Sequence, residues 1–175
     1  MRSIKLFFFT LVATIFLGEN ATAQIIGVDC YLMGTNIELG IHPNGYPGTT
    51  PGSMPGALAT HYRGFTTRLS YLSNPDETVP WGDYDGDYYM PGSPENRFGM
   101  EVDGVTVYNS SATGTPGITP ISLTGYTVYG KCKSVDWAGS YAGIEVDITY
   151  IIDTTKAYYR MVTTLTNTNP IDKTE

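Results

Sequence analysis

Apolar and polar residues alternate along much of this chain, and no stretch keeps the 3.6-residue period of an amphipathic helix. The clearest run is residues 144–152, where Ile144, Val146, Ile148 and Tyr150 are separated by single polar residues. Successive side chains of a strand point to opposite faces of the sheet, so this run has one apolar and one polar face. The pattern predicts a half-buried antiparallel strand.

A second alternating run, residues 157–166, follows a turn predicted at residues 153–156. One register of the two runs collects their apolar residues on a single face, and a slip of one residue would mix the faces. We therefore predict that this face lies in the core. The predicted pairs are Ile152 with Ala157, Tyr150 with Tyr159, Ile148 with Met161, Val146 with Thr163, and Ile144 with Leu165.

Another hairpin is predicted where residues 98–102 and 105–109 flank Asp103-Gly104. Asp-Gly supplies the positive φ angles of a tight type I′ turn, which pairs Val102 with Val105. Further strands are predicted at residues 25–33, 36–41, 65–72, 121–128 and 131–137. Seven or more short strands separated by turns indicate an all-β fold, and we predict an antiparallel β-sandwich with long Pro/Gly-rich loops.

The richest of these loops is residues 43–56, where Pro-Gly recurs at 47–48, 51–52 and 55–56. Each Pro-Gly pair suits a type II turn, so a continuous strand or helix is excluded there. The segment is either a surface recognition loop or an ordinary crossover between sheets.

The amino-terminal residues 1–23 have the pattern of a secretory signal peptide. Arg2 and Lys5 precede a short apolar run, and Ala21-Thr22-Ala23 is a small-residue cleavage site. The apolar run is shorter than the roughly 20 residues needed to cross a bilayer. We expect a secreted or cell-surface protein with no membrane span after cleavage, whose residues 24–175 form one domain.

Charge excludes one class of partner. Ten Lys and Arg against 17 Asp and Glu give a net charge of −7. Such an acidic chain lacks the basic surface that nucleic acid binding requires, so we predict no nucleic acid partner.

The two cysteines, Cys30 and Cys132, lie in a chain predicted to be exported. Thiols oxidise in that environment, so we predict a disulfide between them; two separately buried thiols are the alternative.

The most distinctive stretch is residues 81–95, which combines aromatic and acidic side chains. Asp83, Asp85 and Asp87 are spaced by two residues, which allows three carboxylates of a curling loop to converge on Ca²⁺. The spacing of the other EF-hand ligands is not met. The alternative for the same aspartates is a solvated turn whose side chains cap their own backbone.

Sugar chemistry is a second hypothesis for this stretch. The chain has 14 tyrosines and two tryptophans, Trp81 and Trp137, whose rings could form a platform for stacking on sugars. The alternative is that these rings simply pack in the sheets, where tyrosine is common. A glycosidase pair drawn from these acidic residues would need a distance that the sequence does not supply. We find no nucleophile elbow and no positioned histidine base, so no catalytic residue is assigned.

Three segments carry a family resemblance: residues 24–30 (QIIGVDC), 85–95 (DGDYYMPGSPE) and 160–168 (RMVTTLTNT). There the chain resembles the amino-terminal β-domain of large Bacteroidetes-type cell-surface proteins, which are similar to adhesins exported by the type IX secretion system. The resemblance implies an extracellular sandwich-like module, often followed by repeats and a sorting domain. The sorting domain is absent here, so the chain is either truncated at its carboxyl end or exported by another final route.

From these observations we expect an exported, non-enzymatic binding or structural module of a bacterial surface protein. Its expected partner is an extracellular glycan or a surface protein. The alternative is a carbohydrate-binding or carbohydrate-active domain that uses residues 81–95.

Overall fold

The structure is a computed structural model and describes residues 23–26, 29–50, 69, 71–74, 97–109 and 117–170. Within these ranges every regular element is a β-strand. The strands are β1 (Ala23–Ile26), β2 (Asp29–Met33), β3 (Ile37–Ile41), β4 (Tyr71–Ser73), β5 (Gly99–Val102), β6 (Val105–Tyr108), β7 (Thr119–Tyr129), β8 (Cys132–Tyr141), β9 (Ile144–Asp153) and β10 (Tyr159–Asn167).

The prediction of an all-β antiparallel fold is confirmed. One four-stranded sheet has the order β1-β2-β3-β4, another has the order β10-β9-β8-β7, and β5 pairs with β6. Inward side chains of both large sheets form one buried core, to which the β5-β6 hairpin contributes Val107. The two sheets are thus the layers of a sandwich.

Several predicted features lie outside the described residues: residues 1–22 of the signal peptide, most of the Pro/Gly-rich loop beyond Thr50, and residues 81–95. In the part that is described, no helix is long and apolar enough to cross a membrane.

The alternating pattern of the sequence is reproduced best in β9. Val146, Ile148, Tyr150 and Ile152 are buried, whereas the intervening residues are partly or fully exposed. The predicted face of this strand is therefore confirmed. The Asp103-Gly104 hairpin is also confirmed, with Val102 opposite Val105 and positive φ at both turn residues.

The predicted register of β9 with β10 is wrong by two residues. Ile152 lies opposite Tyr159 instead of Ala157, and Tyr150 lies opposite Met161 instead of Tyr159. Alternation has a period of two, so it distinguishes registers that differ by one residue and is blind to a slip of two. The burial predicted for β10 is wrong too, because Met161 and Leu165 are 49% and 52% exposed.

The connection between β9 and β10 explains the shift. The predicted turn does form, since Lys156 N–H donates to Asp153 O at 3.0 Å. Beyond it, Thr155 O accepts from Asn36 Nδ2 at 2.9 Å, which ties the connection to the turn between β2 and β3. Ala157 and Tyr158 therefore belong to the loop, and β10 begins two residues later.

The predicted disulfide between Cys30 and Cys132 is not formed; both are free thiols. Cys30 belongs to the buried core. In β8 the buried positions are Lys133, Val135, Trp137 and Gly139, so the Cys132 side chain points to the opposite face of its sheet. Strand parity therefore keeps the two sulfur atoms apart.

The two thiols should react at different stages of unfolding. Burial raises the pKa of Cys30 to about 12, which suppresses its reactive thiolate, whereas Cys132 is partly exposed. We expect a thiol reagent to modify one cysteine in the native chain and two in the unfolded, unreduced chain. Cys132→Ser should remove the native reaction and Cys30→Ala should leave it. An unfolded chain without titratable thiols would contradict this arrangement.

A tight turn after β3 packs against β8 of the other sheet. Within it, His42 N–H donates to Tyr46 O at 2.9 Å, and the two rings stack with centroids 4.6 Å apart. Gly45 has a φ of 77° and lies on the ring of buried Trp137 in β8. The Trp137 Nε1–H donates to Pro43 O at 2.8 Å, so this indole both covers and bonds the turn.

Substitutions at two glycines distinguish the cost of a steric clash from the cost of backbone strain. Gly45 and Gly104 have φ angles of 77° and 76°, but a Cβ on Gly45 would lie 2.2 Å from the Trp137 ring, whereas nothing lies within 4 Å of one on Gly104. Gly104→Ala should cost about 1–2 kcal/mol for its left-handed backbone. Gly45→Ala should cost clearly more in denaturant unfolding, because the clash is added. Equal losses would mean that the turn does not dock on Trp137.

Candidate functional site

The residues predicted to bind calcium, Asp83, Asp85 and Asp87, lie outside the described residues. The rest of the predicted acidic-aromatic stretch lies there as well. Over the ranges that the structure does describe, no group of three or more His, Cys, Asp or Glu side chains is placed to hold a metal ion. Trp137, a candidate for sugar stacking, is buried in the core and presents no face to solvent.

The described chain instead has a cavity of about 220 Å³ beside the junction of β9 and β10. The turn after β3, the residues that begin the β5-β6 hairpin, and strands β9 and β10 all contribute to its walls. The lining residues are Pro47, Arg97, Phe98, Gly99, Tyr150, Tyr159 and Met161. Most of this surface is apolar or aromatic, with one cation at its rim.

Tyr150 forms the buried wall of the cavity. It is an inward residue of β9, and its hydroxyl donates to Gly45 O at 2.8 Å. Burial raises the pKa of this phenol above its ordinary value, and the nearby Tyr159 adds to the rise. Tyr150 is therefore a neutral hydrogen-bond donor that holds the turn at the cavity.

Tyr159 is held at a fixed angle at the start of β10. Its ring meets the edge of Tyr71 with centroids 5.4 Å apart and lies 6.1 Å from the Tyr150 ring. The Tyr71 hydroxyl in turn donates to Ala157 O in the preceding loop. These contacts leave Tyr159 partly exposed, with little freedom to rotate.

The opposite side of the cavity is supplied by Arg97, Phe98 and Gly99. Asn109 fixes this segment, because its Oδ1 accepts from Phe98 N–H at 2.8 Å while its own N–H donates to Phe98 O at 3.0 Å. The exposed Arg97 guanidinium lies 4.2 Å from the centroid of the Tyr108 ring. A cation–π contact of this kind orients the guanidinium without neutralising it.

The lining side chains offer two kinds of contact to a ligand. Aromatic walls can cover the flat apolar face of a ligand, while a guanidinium can donate two parallel hydrogen bonds to an anionic group. The arrangement therefore favours a small ring that also carries polar or anionic substituents.

Comparison with protein-family models, curated proteins and solved structures finds no match to this chain.

Sequence reasoning missed this site. It placed Tyr150 and Tyr159 as packing residues in one hairpin, and it gave no role to Arg97. The walls come from segments about 50 residues apart, namely Pro47, Arg97 and Tyr150. No local motif marks such an assembly, although the wealth of tyrosine was a general signal for aromatic binding.

Tyr150 should couple stability to alkaline pH. Its raised pKa means that the unfolded chain loses this proton first, so stability present below pH 10 falls as the pH rises above that value. Tyr150→Phe should cost about 1–3 kcal/mol at neutral pH, through the lost bond to Gly45 O, and the deficit should shrink in alkali. Tyr129→Phe, at an 85% exposed residue, should change neutral stability by less than about 0.5 kcal/mol. Denaturant unfolding at several pH values measures both, and a pH-independent deficit for Tyr150→Phe would contradict the assignment.

Proposed function

We propose that this chain is a non-enzymatic binding module of a secreted or cell-surface protein and that it binds acidic glycans. One sugar ring occupies the cavity between Tyr159 and Arg97. The signal-peptide pattern of residues 1–23 and the resemblance to surface adhesin domains support the extracellular setting. The observation that carries the ligand class is the lining: aromatic rings with one guanidinium and no acid–base pair among the described residues.

The size of the cavity supports a small occupant. Drug-sized ligands fill pockets of about 300–1,000 Å³, and this cavity has about 220 Å³. One ring of a longer chain fits that space, with the rest of the polymer lying on the surface outside. A site of this kind is weak for a single ring and gains avidity when several copies engage one polymer.

The charge of Arg97 favours acidic glycans over neutral ones. The chain carries a net charge of −7, which repels a polyanion in general. Arg97 at the rim provides a local positive centre that pairs with a carboxylate or sulfate of the sugar. Binding to an acidic polysaccharide should thus depend on Arg97 and weaken with salt.

The test compares retention of the purified chain on immobilised polygalacturonate and alginate with retention on cellulose and starch. We expect stronger retention on the acidic polymers. Tyr159→Ala removes the stacking ring and should weaken binding about tenfold, equivalent to roughly 1.4 kcal/mol. Arg97→Gln should abolish the preference for acidic polymers. Arg97 is exposed, so this substitution should leave the fold intact.

The matched control is Tyr158→Ala. Tyr158 is the exposed neighbour of Tyr159 and does not line the cavity, so its loss should leave retention unchanged. Retention that survives both Tyr159→Ala and Arg97→Gln would overturn the assignment of the site. Release of reducing ends from any of the four polymers would overturn the non-enzymatic part of the proposal.

A further inference from the structure

β10 is an unusually open edge strand. It spans nine residues and, among the described elements, pairs only with β9. Met161, Val162 and Leu165 are 49%, 51% and 52% exposed, and they occupy both faces of the strand. A long edge strand that exposes apolar side chains is a template for pairing with another strand.

The other described sheet edges are less suited to strand pairing. β7, at the opposite edge of the same sheet, has 11 residues and exposes Ile121 and Tyr129, but it contains Pro120 and two register irregularities in its pairing with β8. In the sheet β1-β2-β3-β4, the end strands β1 and β4 have only four and three residues. Proline, bulges and shortness all discourage edge pairing, and β10 has none of them.

The backbone of β10 has a defined set of outward groups. Thr168 N–H donates to Gly143 O at 2.8 Å, and these residues continue the register of the β9-β10 ladder. Hydrogen-bonded and non-hydrogen-bonded pairs alternate in an antiparallel ladder. The backbone N–H and C=O groups of the even-numbered residues of β10 therefore bond to β9. The odd-numbered residues, including Met161, Thr163 and Leu165, direct their N–H and C=O groups away from β9.

We propose that β10 binds β10 of a second copy of this chain, in an antiparallel pair centred on Thr163. Thr163 is the midpoint of Tyr159–Asn167, so this register uses the whole strand. It is also an odd residue, so the outward groups of the two copies meet as hydrogen-bonded pairs. The two sheets join into one continuous sheet across a twofold axis.

Side-chain chemistry favours a second copy over an unrelated strand, because the sequence is self-complementary in this register. Met161 faces Leu165 of the partner subunit, and the same contact repeats on the other side of the axis. The only charged residue of β10 is Arg160, which faces the partner's Thr166. No like charges lie opposite each other. On each side of the twofold axis, the half-exposed Met161 of one copy contacts the half-exposed Leu165 of the partner subunit.

The first experiment measures the mass of the full chain by sedimentation over a range of concentrations. We expect a reversible dimer. Thr163→Pro removes an outward N–H and leaves the bonds to β9 in place, so it should weaken the dimer at least about tenfold. Circular dichroism checks that this variant is folded. A wild-type chain that stays monomeric up to about 1 mM would overturn the proposal.

Introducing opposite charges at positions 161 and 165 tests the register even if the proline substitution disturbs the strand. Met161→Lys alone and Leu165→Glu alone each place a charge against an apolar side chain and should produce monomers. The double variant places each new ammonium opposite a new carboxylate of the other copy, so it should restore dimers. Single variants that dimerise like wild type, or a double variant that stays monomeric while folded, would show that another surface or register is used.

The matched control is Thr164→Pro. Thr164 is an even residue whose N–H belongs to the β9 ladder, so this change should lower the stability of the monomer itself. The proposal requires that Thr163→Pro lower dimer affinity far more than monomer stability, and the reverse ordering would overturn it.

Discussion

The attachment of one turn to one indole holds this sandwich in its observed arrangement. Trp137 lies in the middle of β8 with its ring against Gly45 and its Nε1–H bonded to Pro43 O. Tyr150 of the neighbouring strand bonds the same turn through Gly45 O. The turn belongs to the first sheet and both aromatic residues to the second, so these contacts fix how the two layers face each other. Glycine at position 45 is the condition for that contact, since any Cβ would enter the ring.

The candidate binding site follows from the same attachment. Pro47 comes directly after the docked turn, and Tyr150, which holds the turn, is also the buried wall of the cavity. Tyr159 leans on Tyr71 of the opposite sheet, so its angle also depends on the relative position of the layers. The shape of the cavity and the stability of the fold are therefore coupled, and a change that loosens the turn is expected to widen the cavity. The position of Arg97 does not depend on the turn, because the β5-β6 hairpin holds this residue through the Tyr108 ring.

The sequence determines most local features of this fold and few of the distant ones. The Asp103-Gly104 turn and the inward face of β9 were predictable because each depends on neighbouring residues. The disulfide was mispredicted because cysteine count says nothing about strand parity, and a lysine occupies the inward position beside Cys132. Lys133 is buried, donates to Met33 O at 3.2 Å and has a pKa lowered by burial. A charged residue at an inward position misleads any reading of β8 by hydrophobicity alone.

β10 shows why alternation is not sufficient to predict burial. Met161 and Leu165 have the parity of core residues, and their partners on β9 are indeed buried. A side chain is buried only where the facing layer extends over it, and here the facing strand β4 has three residues against nine in β10. Tyr71 covers the start of β10 through its contact with the Tyr159 ring. The apolar pattern of β10 thus exceeds what one copy of the described sandwich buries, and the proposed edge-to-edge pairing gives Met161 and Leu165 apolar neighbours within the same sheet.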